Sequence, residues 1–165
     1  MGLFEALKNK KEKNPFSISS PLNGKIIPQE EIEDKVFVDE AIGKGVGILV
    51  KNEMQTLVAP ISGVISMIFP TKHAIGICTD EGIEVLIHIG INTVELNGEY
   101  FEKHIEVGQK VKRGEKLVTV DFSNIRNKGF NTTTILLVTN YNKFGNIEFK
   151  YKDSLVGDII LEVEK

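Results

Sequence analysis

The sequence predicts an all-β chain folded as an antiparallel sandwich or barrel, and three observations carry that prediction. Short runs rich in Val and Ile recur along the chain, 15 glycines help to separate them, and no helix-period stretch longer than about two turns follows Asn14. Runs of this length with turn residues between them cannot bury themselves alone, so they must pair edge to edge and pack face to face.

In chain order, residues 1–15 stand apart. Leu3, Phe4 and Leu7 fall at helical spacing, and Lys8, Lys10, Lys11 and Lys13 follow. Two readings fit this stretch, a solvated terminus or a short amphipathic arm making weak contact with an anionic membrane surface. Residues 16–165 form the domain proper. Its expected strands are Lys25–Ile27, Gly45–Val50, Gly63–Phe69, Ile75–Cys78, Val85–Ile89, Lys116–Phe122, Thr133–Thr139 and Ile159–Val163, with a helical turn near Phe122–Lys128. Pro21–Leu–Asn–Gly–Lys–Ile26 is echoed by Pro60–Ile–Ser–Gly–Val–Ile65, which suits a sandwich built from two related halves.

Composition narrows the function classes. The 165 residues hold 41% hydrophobic and 26% charged side chains, an ordinary globular balance. With 20 basic and 23 acidic residues the net charge is −3, which argues against nucleic acid as a partner. No apolar run approaches the roughly 18–20 residues that span a bilayer, and no secretory signal opens the chain. The single cysteine, Cys78, permits neither an internal disulfide nor a cysteine metal cluster. A cytoplasmic protein is expected.

The candidate chemistry lies between Thr71 and Val94. A hairpin centred between Asp80 and Glu81 would set His73 directly across from His88, with Cβ atoms about 4.5–5.5 Å apart. On that pairing His73, Ile75 and Ile77 share a face with Glu84, Leu86 and His88. Two adjoining imidazoles in an apolar strand cannot both be charged, so at least one stays neutral and keeps a free lone pair. That nitrogen is either a nucleophile or a metal ligand. A zinc site at His73 and His88 would need a third ligand, with Glu84 and Glu95 nearest in sequence and His104 far off.

The nucleophile reading needs less. The Gly90 carbonyl can hold the Nδ1 proton of His88, Thr71 can hold the His73 ring, and His73 can face the acquired group. A phosphoryl group suits such a site. No phosphate-binding glycine loop or kinase signature is present, so the donor must be another activated carrier and no cofactor is required.

The stretches Phe69–Pro–Thr–Lys–His–Ala74 and Val85–Leu–Ile–His–Ile–Gly90, and Ile91–Asn–Thr–Val–Glu–Leu96 after them, resemble the glucose-type IIA component of the bacterial phosphoenolpyruvate:sugar phosphotransferase system. So do Pro21–Leu–Asn–Gly24, Asp34–Lys–Val–Phe37, Gly43–Lys–Gly45 and Gly108–Gln–Lys–Val–Lys–Arg–Gly114, so the likeness runs over essentially the whole chain. It implies a barrel-sandwich hybrid with short helical turns, and a phosphoryl-carrying enzyme of sugar uptake. On this likeness His88 accepts phosphoryl on Nε2 from the phosphocarrier protein HPr and passes it to a cysteine on the IIB domain of a sugar permease. His73 steadies the group, Thr71 orients His73, and Gly90 holds the His88 Nδ1. Asp34, Val36, Phe37, Ile42, Phe69, Leu86, Asn92 and Val94 match the partner-binding rim. Two positions depart from the family pattern: Asn92 stands where Asp is usual, and Lys35 where Pro follows Asp34, so the rim loses acidity toward a basic partner.

Three other readings remain. The Gly108–Leu117 hairpin is similar to that of biotinyl and lipoyl carriers, but Lys51–Asn–Glu–Met54 lacks a Lys after the Met. It is similar also to β-sheet zinc peptidases, whose His-x-His is missing here. A regulator that shares a zinc with a partner through His73 and His88 is the third.

Overall fold

The computed structural model describes residues 14–165, so the amphipathic-arm expectation for residues 1–13 lies outside the described residues. Among the described residues, fourteen strands form three antiparallel sheets. The largest has eight: β13 (Asp153–Ser154), β2 (Gly24–Pro28), β3 (Lys44–Val50), β11 (Thr134–Val138), β7 (Glu84–His88), β6 (Ala74–Cys78), β5 (Gly63–Ile68) and β9 (Lys110–Val111), in that spatial order. Two three-stranded sheets complete the sandwich. One orders β1 (Ser17–Ser19), β14 (Ile159–Val163) and β12 (Ile147–Phe149), the other β4 (Met54–Val58), β10 (Lys116–Asp121) and β8 (Phe101–Lys103).

Every expected strand exists, displaced by a residue at most at either end. Strands β1, β4, β8, β9, β12 and β13 were not expected. They are short or mixed in polarity, and pairing with an apolar neighbour is what makes them strands. The helical turn near Phe122 is α2 (Phe122–Asn127), capped by Asp121, whose carboxylate accepts the Asn124 N–H. A second single turn, α1 (Lys35–Val38), was not expected and is capped the same way by Asp34.

The echo between Pro21 and Pro60 is structural. Ser19 N–H donates to Pro60 O and Val58 N–H to Pro21 O, so the two segments cross reciprocally. Ser20 exchanges two hydrogen bonds with the turn at Gly157–Asp158, and Ala59 exchanges the same two with the turn at Gly114–Glu115. Strand β13 joins β2 as β9 joins β5, and β14 joins β1 as β10 joins β4. The chain is two related halves that share one core.

That core takes Ile18, Ile26, Ile48, Leu57, Ile65, Ile75, Ile87, Val118, Leu136 and Leu161, all at most 1% exposed. A second, smaller cluster lies on the outer face of the large sheet: Ile32, Phe37, Ile91, Ile135 and Leu137, with Ile42 against it. Strand β11 feeds both clusters, Leu136 and Val138 inward and Ile135 and Leu137 outward, which explains its unbroken apolar sequence. Gly47 makes room for the outer cluster, because a Cβ there would lie 2.9 Å from Ile32 Cγ1 and 3.0 Å from Ile27 Cγ1. Gly47→Ala should therefore cost about 1–3 kcal/mol in urea denaturation; unchanged stability would show that the outer cluster is loosely packed.

Candidate functional site

The β6–β7 hairpin carries both histidines, but in a register other than the expected one. Its loop is Asp80–Glu81–Gly82, centred on Glu81, with Gly82 at φ +92° and its N–H donating to Thr79 O. A three-residue loop with glycine in the left-handed position fixes that register. Ala74, not His73, therefore pairs with His88. The faces change accordingly: Ile75 and Ile77 go into the core with Val85 and Ile87, whereas Ala74 and Gly76 share the outer face with Leu86 and His88. His73 stands just before β6, after Lys72 at φ +63°, and its carbonyl accepts the Ile89 N–H at 2.7 Å. Its ring still meets that of His88, with centroids 4.9 Å apart and planes at 83°.

Each ring is held at Nδ1. His88 Nδ1 lies 2.8 Å from the Gly90 carbonyl oxygen, which can only accept, so Nδ1 carries the proton and Nε2 of the neutral ring keeps its lone pair. Gly90 has φ +75°, and a Cβ on it would lie 2.5 Å from Thr93 Cγ2, so the turn that aims this carbonyl requires glycine. Ile91 N–H donates to Asn131 O, and the buried Thr93 hydroxyl donates to Ile89 O, which fixes the peptides on both sides. His73 Nδ1 lies 2.7 Å from Thr71 Oγ1.

His88 is half-buried, while His73 is only 2% exposed and lies against the edge of Phe69, with centroids 5.2 Å apart. Burial, and then the neighbouring His88, lower the His73 pKa from 6.5 to about 4. Burial also lowers that of His88, against two smaller opposing influences, the hydrogen bond to Gly90 and the Asp34 carboxylate. Both rings are neutral at pH 7.

A depression of about 430 Å³ opens beside His88, lined by Phe37, Ile42, Phe69, Ala74, Gly76 and Leu86 and running on past Met67 and Cys78 to Glu84 and Thr139. The Phe37 ring packs on His88 at 4.8 Å between centroids. Of the other rim residues, Val36, Phe69 and Val94 are large apolar side chains 42–54% exposed, Asp34 is half-buried, and Asn92 is exposed in the left-handed region that Asn tolerates. Phe37 is the exception, buried at 6% as part of the outer cluster. A larger polar groove, walled by Lys25, Glu31, Glu33 and Arg126, contains neither histidine.

Sequence reasoning missed Thr93, Asn131 and the far end of the depression. Thr93 acts through a local bond to Ile89 four residues back, which its residue type alone does not announce, and Asn131 acts through a contact forty residues away in the chain. His104 is exposed and bonded to Thr119, away from the pair. Among the described residues no group of three or more His, Cys, Asp or Glu could hold a metal. The two rings alone cannot complete a zinc site from this chain.

A hairpin that sets two neutral imidazoles at the edge of an apolar depression, one ring with its nucleophilic nitrogen free, defines a histidine group-transfer module on a β-sandwich. Residues 16–144 match the family described as phosphoenolpyruvate-dependent sugar phosphotransferase system, EIIA 1, and the chain belongs to that family. It is 39% identical over 149 residues to a relative from Halalkalibacterium halodurans named PTS system beta-glucoside-specific EIIBCA component. That match takes in 90% of this chain but only 23% of the relative's length. The glucose permease IIA of Mycoplasma capricolum superposes with a TM-score of 0.80 at 35% identity, covering 88% of this chain and 93% of that one.

Because the unfolded His73 ring takes a proton near pH 6.5 and the folded one only near pH 4, acid weakens the fold across that window. Replacing His73 by Gln removes this loss. Relative to wild type, His73→Gln should gain about 2 kcal/mol in urea denaturation between pH 7 and pH 4.5; parallel stabilities at the two pH values would refute the depressed pKa.

Proposed function

We propose that this chain carries a phosphoryl group in sugar uptake, accepting it on His88 Nε2 from HPr and yielding it to a cysteine of a IIB domain. The observation that carries the reading is the hydrogen bond from His88 Nδ1–H to the Gly90 carbonyl, because it leaves the Nε2 lone pair free at the edge of the docking depression. In the first transfer the Nε2 lone pair attacks phosphorus, a new N–P bond forms, and the bond to the donor breaks with its electron pair leaving on the donor. In the second, the incoming thiolate attacks phosphorus and His88 departs as a neutral imidazole that needs no proton from solvent.

His73 donates from Nε2–H to a phosphoryl oxygen, and Thr71 holds the ring for that task by bonding its Nδ1. Val36, Ile42, Phe69, Leu86 and Val94 form the apolar part of the docking surface, with the buried Phe37 lining the depression beside His88 and Asp34 and Asn92 at the polar edge. Lys35, exposed beside Asp34, and Asn92 reduce the acidity of that edge and so lower the encounter rate with a basic carrier. The name of the Halalkalibacterium relative joins B, C and A parts in one chain, which supports a permease-borne IIB domain as the acceptor. Both transfers belong on the cytoplasmic face of the membrane, and residues 16–165 constitute the IIA domain. Among the described residues no helix is long and apolar enough to cross a membrane.

Incubation with phosphoenolpyruvate, the upstream phosphotransferase and HPr should add one acid-labile phosphoryl group, located by mass spectrometry on His88. His88→Ala should take none, and uptake at another residue overturns the assignment. His73→Gln should still be phosphorylated but pass the group to the IIB cysteine about a hundredfold more slowly or worse; transfer at the wild-type rate removes His73 from the mechanism. Since both rings are neutral at pH 7, the uptake rate should stay flat from pH 8 to pH 7.

A further inference from the structure

We propose that Gln29, which touches neither histidine, is a positioning residue for phosphoryl transfer: its buried amide clamps the segment 34–43 onto the large sheet and so fixes Phe37 beside His88. The inference rests on the phosphoryl-carrier reading and extends it from the reacting atoms to the surface that HPr must meet.

Gln29 opens a single 3-10 turn, Gln29–Glu31, directly after β2 and is 6% exposed. Its Nε2 lies 2.8 Å from the carbonyl oxygen of Phe37, 2.9 Å from that of Gly43 and 3.2 Å from that of Asp39, while Oε1 accepts the Gly45 N–H at 3.0 Å. Two amide hydrogens thus serve three carbonyls, and one side chain satisfies four backbone groups along the whole docking segment and the start of β3. The segment has little other order of its own. It contains one helical turn capped by Asp34, an Asp39 bond to the Ala41 N–H, and an outer tie from the Tyr141 hydroxyl to Glu40 O.

Below the segment, Phe37 and Ile42 rest on Ile135 and Leu137 of β11. Apolar packing of this kind is non-directional and allows sliding, whereas the four hydrogen bonds of Gln29 do not. Because Ile135 pairs with His88, any slide of Phe37 over β11 changes what covers the phosphoryl acceptor. Without the amide, buried carbonyls and one N–H would lose their partner, and the segment would lift toward water to regain it.

Gln29→Met keeps the volume and removes the amide. In phosphoryl uptake at varied phospho-HPr, its KM should rise about fivefold or more with kcat within about twofold of wild type. The upfield ring-current shift of the His88 ring protons from Phe37 should shrink in NMR spectra, while the Nδ1-protonated tautomer persists. A merely structural role predicts another split: a smaller folded fraction lowers the apparent kcat and leaves KM unmoved. Unchanged KM and ring-current shift in folded Gln29→Met overturn the inference while His88 phosphorylation of the wild type stands. A wild-type chain that takes no phosphoryl group sinks the carrier reading and this inference with it. Should the variant not fold, hydrogen exchange of the wild type decides. The Gln29 side-chain amide and the Gly45 N–H are expected to exchange far more slowly than solvent-exposed amides, and exchange of the Gln29 amide at the free-glutamine rate refutes the clamp.

Discussion

The hydrogen bond between His88 Nδ1 and the Gly90 carbonyl decides what this site can do chemically, because it chooses which ring nitrogen keeps its lone pair. A free imidazole distributes its proton over two nitrogens, and only the unprotonated one attacks. Here the choice is made by a backbone oxygen two residues further on, in a turn that only glycine can form beside Thr93. The surrounding bonds, Thr93 to Ile89 and Ile91 to Asn131, prevent that peptide from rotating away. A residue far along the chain therefore shares in setting the tautomer of the histidine.

Electrostatics favour the same state. Burial disfavours the charged form of both rings, the closeness of the two adds to this for His73, and the Asp34 carboxylate opposes it only partly for His88. Neutral imidazoles at pH 7 suit a carrier that must receive and release an anionic group repeatedly. A permanently charged His88 would have no lone pair to offer, and a solvated one would lose the apolar contacts with Phe37.

The large sheet acts as a platform with two occupied faces. Its inner face belongs to the common core and its outer face to a small apolar cluster, on which the segment carrying Asp34, Val36, Phe37 and Ile42 is laid. The doubling of the two halves explains the scaffold, since each half supplies the same crossing and the same short strand at an end of the large sheet. It does not explain the site. His73, His88 and the segment 34–43 belong to features that break the resemblance between halves, namely the β6–β7 hairpin and the long excursion between β2 and β3.

Much of this was legible in the residues themselves. Strand positions followed from Val and Ile runs bounded by turn residues, because burial of β-branched side chains in paired strands is a local preference. The kinship of Pro21–Ile26 and Pro60–Ile65 was also visible, since equivalent crossings demand equivalent turns. The two histidines, Thr71 and Gly90 could be singled out because a tautomer-fixing partner lies within two residues of each ring. The hairpin register was not legible. Asp80–Glu81–Gly82 and its neighbours allow loops of different length, and a shift of one residue reverses every face, so Ala74 rather than His73 pairs with His88. Tertiary structure alone decided how the rings meet in the shifted register, that Phe37 is buried against one of them, and that Gln29 ties down the segment carrying it. Those outcomes depend on side-chain contacts between separate elements once they have packed, which no local pattern of residues encodes.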